Sequence, residues 1–177
     1  MDWLFHMTEL LRTTHLVEFS LWVSDWPFAL WLQSHFYAIP AFQTIHILSI
    51  AVLFSSVLLL NARVLGVNGT DQGLDAAFRR YRPWMWSALI ALIASGVILL
   101  ISEPVRNMVN SVFWIKMSLL LVAVVCSLWF QRSLRNRMDT WDVSPGGHAS
   151  LRTGAIFLTI LWCLVIAGGR WIAYAPN

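Results

Sequence analysis

Four stretches of the chain carry almost no charge, and segments rich in arginine, glycine and proline separate them. They run about 40–63, 83–102, 109–130 and 151–174. Each is close to the ~20 residues that an α-helix needs to cross a hydrocarbon layer. Pro40 suits the first turn of its helix, where a missing N–H costs little. Residues 64–82 read as a polar loop broken at Gly66, Asn68-Gly69, Asp71 and Gly73, with 75–82 as a short helix leading onward. Glu103-Pro104 closes the second span, and 105–108 form a short hairpin into the third. Residues 131–150 make the other long loop, with Ser144-Pro145-Gly146-Gly147-His148. Short connections make sequence neighbours run up and down. The expected fold is all-α, a four-helix transmembrane bundle over residues 37–177.

Residues 1–36 follow a different pattern. Glu9, Arg12, Glu18 and Asp25 interrupt the apolar run too often for a span. Trp22, Trp26 and Trp31 recur at roughly helical spacing. Ser24-Asp25-Trp26-Pro27 reads as a helix start, a capping residue followed by proline in the first turn. One or two amphipathic interfacial helices are expected here. A re-entrant or spanning helix over 16–32 is the alternative.

Composition agrees. Of 177 residues, 58% are hydrophobic and 12% charged, about half the charged share of a soluble domain. The 11 tryptophans suit headgroup-level belts. A net charge of +3, carried by scattered arginines and one lysine, is too weak for nucleic acid. It does set an orientation. Arg63, Arg79, Arg80, Arg82, Arg132, Arg135, Arg137 and Arg152 lie at the two long loops; Arg12, Arg106 and Arg170 lie at the other side. The excess places the long loops in the cytoplasm and both termini in the periplasm, as in a multi-pass protein of the bacterial inner membrane. The N-terminus lacks a basic region and a cleavage site, so no signal peptide is expected. Cys126 and Cys163 lie in apolar runs and read as buried small hydrophobes rather than a disulfide.

Polar residues at membrane depth are the candidate chemistry. His46 sits about 9 Å into the first span at 1.5 Å per residue. Gln43 is one turn above it. Lys116 is at similar depth in the third span, Arg170 lies near the outer end of the fourth, and Glu103 ends the second. All four spans thus send a polar group toward the outer half, and these groups are expected to face inward. Lys116 has two readings, a structural pair with Glu103 or a snorkelling side chain on one hand, and a hold on an anionic group on the other. His46 likewise reads as a satisfied bundle histidine or as a ligand to haem or metal. His35, eleven residues earlier, would share nearly the same helical face and make a second metal ligand. The other spans hold no histidine, so His6, His15, His35 or His148 would have to fold back to supply one. Ser95-Gly96 lets a helix or a flat cofactor approach closely. Dispersed methionines and the internal Gly146-Gly147-His148 make a weak copper pattern.

Ile45-His46-Ile47-Leu48-Ser49, with the small-residue run to Arg63, resembles the first helix of HemJ-type protoporphyrinogen oxidases and of the copper-resistance CopD family. Phe113-Trp114-Ile115-Lys116-Met117 resembles their third helix. Residues 36–130 look closer still to an uncharacterised bacterial membrane family of this length, through Ala38-Ile39-Pro40, Arg82-Pro83-Trp84, Ser95-Gly96 and Ser102-Glu103-Pro104. The HemJ resemblance implies a functional histidine–lysine pair and bound haem b. The leading expectation places His46 as an axial ligand, with Lys116 and Arg170 near the propionates or iron and Gly96 giving the porphyrin room. The expected function is electron transfer or redox chemistry near the periplasmic face, with a redox partner protein or a quinone, as in a haem-dependent membrane oxidoreductase. A haem-free structural or transport subunit and a copper-handling protein are the alternatives. The aromatic surface is compatible with a homo-oligomer.

Overall fold

The computed structural model describes residues 2–67, 73–137 and 149–171. The expected breakers Asn68-Gly69 and Asp71, the Ser144–His148 stretch and the end of the fourth span beyond 171 lie outside the described residues. Within them the chain is all helix. The helices are α1 (Asp2–Arg12), α2 (Leu16–Ser24), α3 (Pro27–Ser34), α4 (Ala38–Leu65), α5 (Leu74–Ser102), α6 (Pro104–Met108), α7 (Ser111–Arg135) and α8 (Ala149–Trp171). Four of them, α4, α5, α7 and α8, are long and apolar enough to cross a membrane. This is a multi-pass membrane protein.

The span boundaries differ from expectation for local reasons. α5 begins at Leu74 and runs through Pro83 without a break. Proline removes one backbone donor and leaves the Arg79 carbonyl without its helical partner, yet the helix continues. Its first turns are tied by Arg79, whose Nε donates to Asp75 Oδ2 at 2.7 Å. The separate short helix expected over 75–82 is therefore the start of the second span. α7 begins at Ser111 rather than 109 because Asn110 caps it: the Val112 N–H donates to Asn110 Oδ1 at 2.9 Å. α4 ends at Gly66, whose φ of +75° is open to glycine at little cost. The Gly66 and Val67 amides turn back to the Arg63 and Ala62 carbonyls at 3.1 and 3.0 Å.

The N-terminal segment forms three helices instead of one or two. A continuous helix over 16–32 is excluded by the break at Asp25–Trp26. Pro27 opens α3 as expected, but the capping position is Trp26, in extended backbone and without a side-chain bond. Asp25 closes α2 instead. α2 packs against α6. Thr8 Oγ1 donates to Ser111 Oγ at 3.2 Å, and Gln33 Nε2 donates to the Ser102 carbonyl at 2.9 Å.

Two compact units describe the packing. The first comprises 1–49, 90–118 and 166–177; the second comprises 50–89 and 119–165. The first gathers the start of α4, the end of α5, the start of α7 and the end of α8, so within it the spans alternate in direction. In the second, Val57, Leu60, Val64, Ala155 and Leu158 form the core. Polar ties run through it. Asn61 Nδ2 donates to the Ala155 carbonyl at 3.1 Å and to Thr159 Oγ1 at 2.9 Å. Trp162 Nε1 donates to Ser127 Oγ, and Trp86 Nε1 to Gln131 Oε1, both at 3.2 Å. Serines in the spans are tolerated because their hydroxyls bond back to the carbonyl four residues earlier, as at Ser49, Ser56 and Ser127.

Each spanning helix leaves an apolar face uncovered: Ile47 and Leu48 on α4, Ile90 and Ile93 on α5, Leu121 and Trp129 on α7, Ile156 and Phe157 on α8. Faces this apolar suit contact with lipid tails. Both cysteines are free, Cys126 half-buried and Cys163 exposed. Cys163 is thus not the buried hydrophobe expected.

Candidate functional site

The polar cluster forms in the first unit, around His46. One turn of α4 puts His46 and Ser49 inward while Ile45, Ile47 and Leu48 point out. His46 Nδ1 lies 2.9 Å from Ser95 Oγ on α5. Ser95 is buried, and its hydroxyl also lies 2.7 Å from the Ala91 carbonyl. A hydroxyl has one proton. When it goes to Ala91, the ring must donate from Nδ1 to Ser95 Oγ. That leaves Nε2 with its lone pair and without a hydrogen-bond partner among the described residues. A histidine held by one nitrogen and open at the other is the arrangement that metal-ligating or proton-accepting imidazoles use.

The ring rests on Gly96. A Cβ there would stand 3.3 Å from His46 Cε1. The space expected for a flat cofactor is thus filled by the histidine itself, and the close approach is that of α4. Lys116 on α7 lies in the same way over Gly169 of α8, where a Cβ would be 3.4 Å from Nζ. Among the described residues the ammonium makes no ion pair. The expected partner, Glu103, binds Arg106 at 2.9 Å instead, because α6 turns back at once and places the arginine three residues along.

Other expected members do not face inward. Gln43 is exposed and makes no bond to His46. Arg170 is exposed too, next to the glycine that seats Lys116. Long polar side chains near a span end reach outward, so Gln43 and Glu103 lie apart from His46, Ser95 and Lys116. His35 is not on the helix of His46, since it closes α3 before α4 starts at Ala38. Its Nδ1 lies 2.8 Å from the Trp31 carbonyl and 3.1 Å from Ser34 Oγ. The stacked pair of sites on one helix therefore does not form. Among the described residues no three His, Cys, Asp or Glu side chains gather in a metal-holding group.

A family model matches residues 32–175, which covers α4 to α8 and every member of the cluster. The chain belongs to the DUF6644 family, a family of unknown function. No curated protein and no solved structure matches it. The region matched to DUF6644 leaves out α1, α2 and most of α3.

Two residues of this DUF6644 site were not singled out for their roles. Ser95 stood out only as a small neighbour of Gly96, and Gly169 only as part of a glycine pair near a span end. A usable signal existed. Small residues in two spans, at the depth of the only histidine and the only lysine of the spans, mark the places where those side chains can lie.

Proposed function

We propose that the protein is a b-type haem protein of the bacterial inner membrane, with both termini in the periplasm and His46 as an axial ligand near the periplasmic face. The observation that carries this is the His46 ring, anchored through Nδ1 to Ser95 at 2.9 Å and open at Nε2. The residues fit a single ligand of this kind better than a bis-histidine site, since His35 is held by α3. Bound haem would supply one-electron redox chemistry. The chain's own part is narrower. Ser95 sets the ring's proton and angle, and Lys116, without an ion pair, offers a cation to a propionate. Arg170, on the exposed side of α8, is a second cation for the same purpose. Gly96 seats the ring and does not serve the porphyrin. Electron transfer to a partner protein or a quinone is the role this reading favours, and the likeness of the Ile45–Ser49 and Phe113–Met117 stretches to HemJ-type proteins supports it.

The test is a visible spectrum of the purified protein. A Soret band lost in His46→Ala is expected. No band in the wild type, or an unchanged one in the variant, would sink the proposal.

A second reading is a haem-free structural or transport subunit. It is favoured by one observation, the filling of the Gly96 space by the ring, which lets His46–Ser95 act as a packing contact. Iron and copper both absent from the purified protein, together with a stoichiometric partner, would support it. Copper handling, as in CopD, would instead give copper in the same measurement.

A further inference from the structure

The second unit has an open groove of about 410 Å³ between α4 and α5. Its walls are mostly apolar, from Ala51, Val52 and Leu59 on one side and the Trp84 ring on the other. Besides Ser56, whose hydroxyl bonds back to the Val52 carbonyl, three polar groups line it: the Ser55 hydroxyl, the Tyr81 phenol and the Arg80 guanidinium. None of the three has a hydrogen-bond partner among the described residues.

That is unusual for this chain. Ser49, Ser56, Ser95 and Ser127 in the spans all bond back to a carbonyl of their own helix. Ser55 does not, although it lies on the exposed side of an apolar helix. The neighbouring arginines also differ from Arg80. Arg79 is held by Asp75, and the Arg82 guanidinium lies over the Phe78 ring at 5.7 Å. Arg80 approaches the ring of its sequence neighbour Tyr81, at 6.0 Å, and among the described residues it forms no ion pair with a carboxylate.

We propose that this groove binds one anionic glycerophospholipid, with its phosphate on Arg80 and Tyr81, an ester oxygen on Ser55, and an acyl chain along Ala51, Val52 and Leu59 against Trp84. The chemistry matches at each level. A guanidinium and a phenol are donors suited to a phosphate. A hydroxyl in an apolar wall can donate to an ester carbonyl. The groove lies on helices whose exposed faces already meet lipid tails, so the ligand enters sideways from the bilayer. The charge of Arg80 selects an anionic headgroup over a zwitterionic one.

The experiment is native mass spectrometry of the delipidated, full-length protein in detergent, titrated with phosphatidylglycerol or phosphatidylcholine of identical acyl chains. One phosphatidylglycerol should be retained in preference to phosphatidylcholine. Arg80→Gln should reduce its retention roughly five-fold, the effect of about one basic residue at a lipid surface. Arg80→Lys should keep part of it, and Ser55→Leu should weaken both lipids alike. Arg132→Gln, which removes an exposed arginine outside the groove, should change nothing. All three positions are exposed, and a melting curve for each variant identifies any loss of fold. Equal retention of the two lipids would overturn the proposal. So would an Arg80→Gln effect no larger than that of Arg132→Gln, or retention of a neutral quinone in place of the phospholipid.

Discussion

Replacing Gly96 with alanine tests the seat of His46 directly. The new methyl would stand 3.3 Å from His46 Cε1 and 3.8 Å from Nδ1. The first distance is tighter than ordinary van der Waals contact, so the ring must retreat by a few tenths of an ångström. The His46–Ser95 bond, now 2.9 Å, would lengthen toward the outer limit for a good N–H···O bond. A bond of this kind contributes about 0.5–1.5 kcal/mol net. Against that, alanine is the better helix former by about 1 kcal/mol. The two effects nearly cancel, and Gly96→Ala should leave stability within about 0.5 kcal/mol of wild type. Gly168 supplies the reference, because a Cβ there meets nothing within 4 Å. Gly168→Ala should therefore show the propensity gain alone, about 1 kcal/mol. Gly96→Leu cannot be absorbed by a small shift and should cost about 1–3 kcal/mol as overpacking. Unfolding by SDS titration in mixed micelles gives the three values, and the His46 ring resonances report the displaced bond. If Gly96→Ala stabilises as much as Gly168→Ala and the ring resonances do not move, His46 does not rest on Gly96, and the arrangement of the cluster is wrong.

Other outcomes follow from the packing. Asn61→Leu removes two bonds to α8 and should destabilise by about 1–2 kcal/mol, within the range for polar contacts in membrane bundles; a double cycle with Thr159→Val should show less than the sum of the single effects. Gly66→Ala forces a Cβ into left-handed backbone and should cost about 1–2 kcal/mol in the same titration. His15 lies 3.0 Å from Glu18, and that bond, then the carboxylate charge, raises the His15 pKa above its ordinary value. A raised pKa means the pair's contribution to stability is complete below the unfolded value of about 6.5 and fades as pH rises through the folded value. NMR titration should place His15 above the ordinary value, and Glu18→Gln should bring it back; an unmoved midpoint would refute the contact.

The four spans were legible because a bilayer imposes its rule segment by segment. Any run of about 20 apolar residues must satisfy its backbone internally, whatever else it packs against. Start and stop residues were legible only where the signal is local. Pro27 opened α3 as expected, but α5 runs through Pro83 although a proline in a helix interior costs about 3 kcal/mol. Side-chain direction was hardest. A helix turns by 100° per residue, so Gln43 and His46 share a face only approximately, and one points out while the other points in. The pairing of Glu103 with Lys116, one of the readings open to the sequence, does not form, because α6 places Arg106 three residues along at 2.9 Å.

The two units differ in how their inward-facing polar groups are completed; Ser55, Tyr81 and Arg80 of the second unit, without hydrogen-bond partners among the described residues, lie at its lipid-facing groove rather than in its interior. In the second unit Asn61 donates twice across to α8, and the indole N–H groups of Trp86 and Trp162 each have an acceptor. Groups that serve only to fix helix packing end in this condition, since an orphaned donor in hydrocarbon is expensive. In the first unit His46 is bound at one nitrogen and open at the other, and Lys116 has no ion pair. Carrying such groups inside a span is unfavourable unless something completes them. Packing accounts for Ser95, Gly96 and Gly169, which position the two side chains. It does not by itself account for the histidine and the lysine, and the haem proposal rests on that remainder.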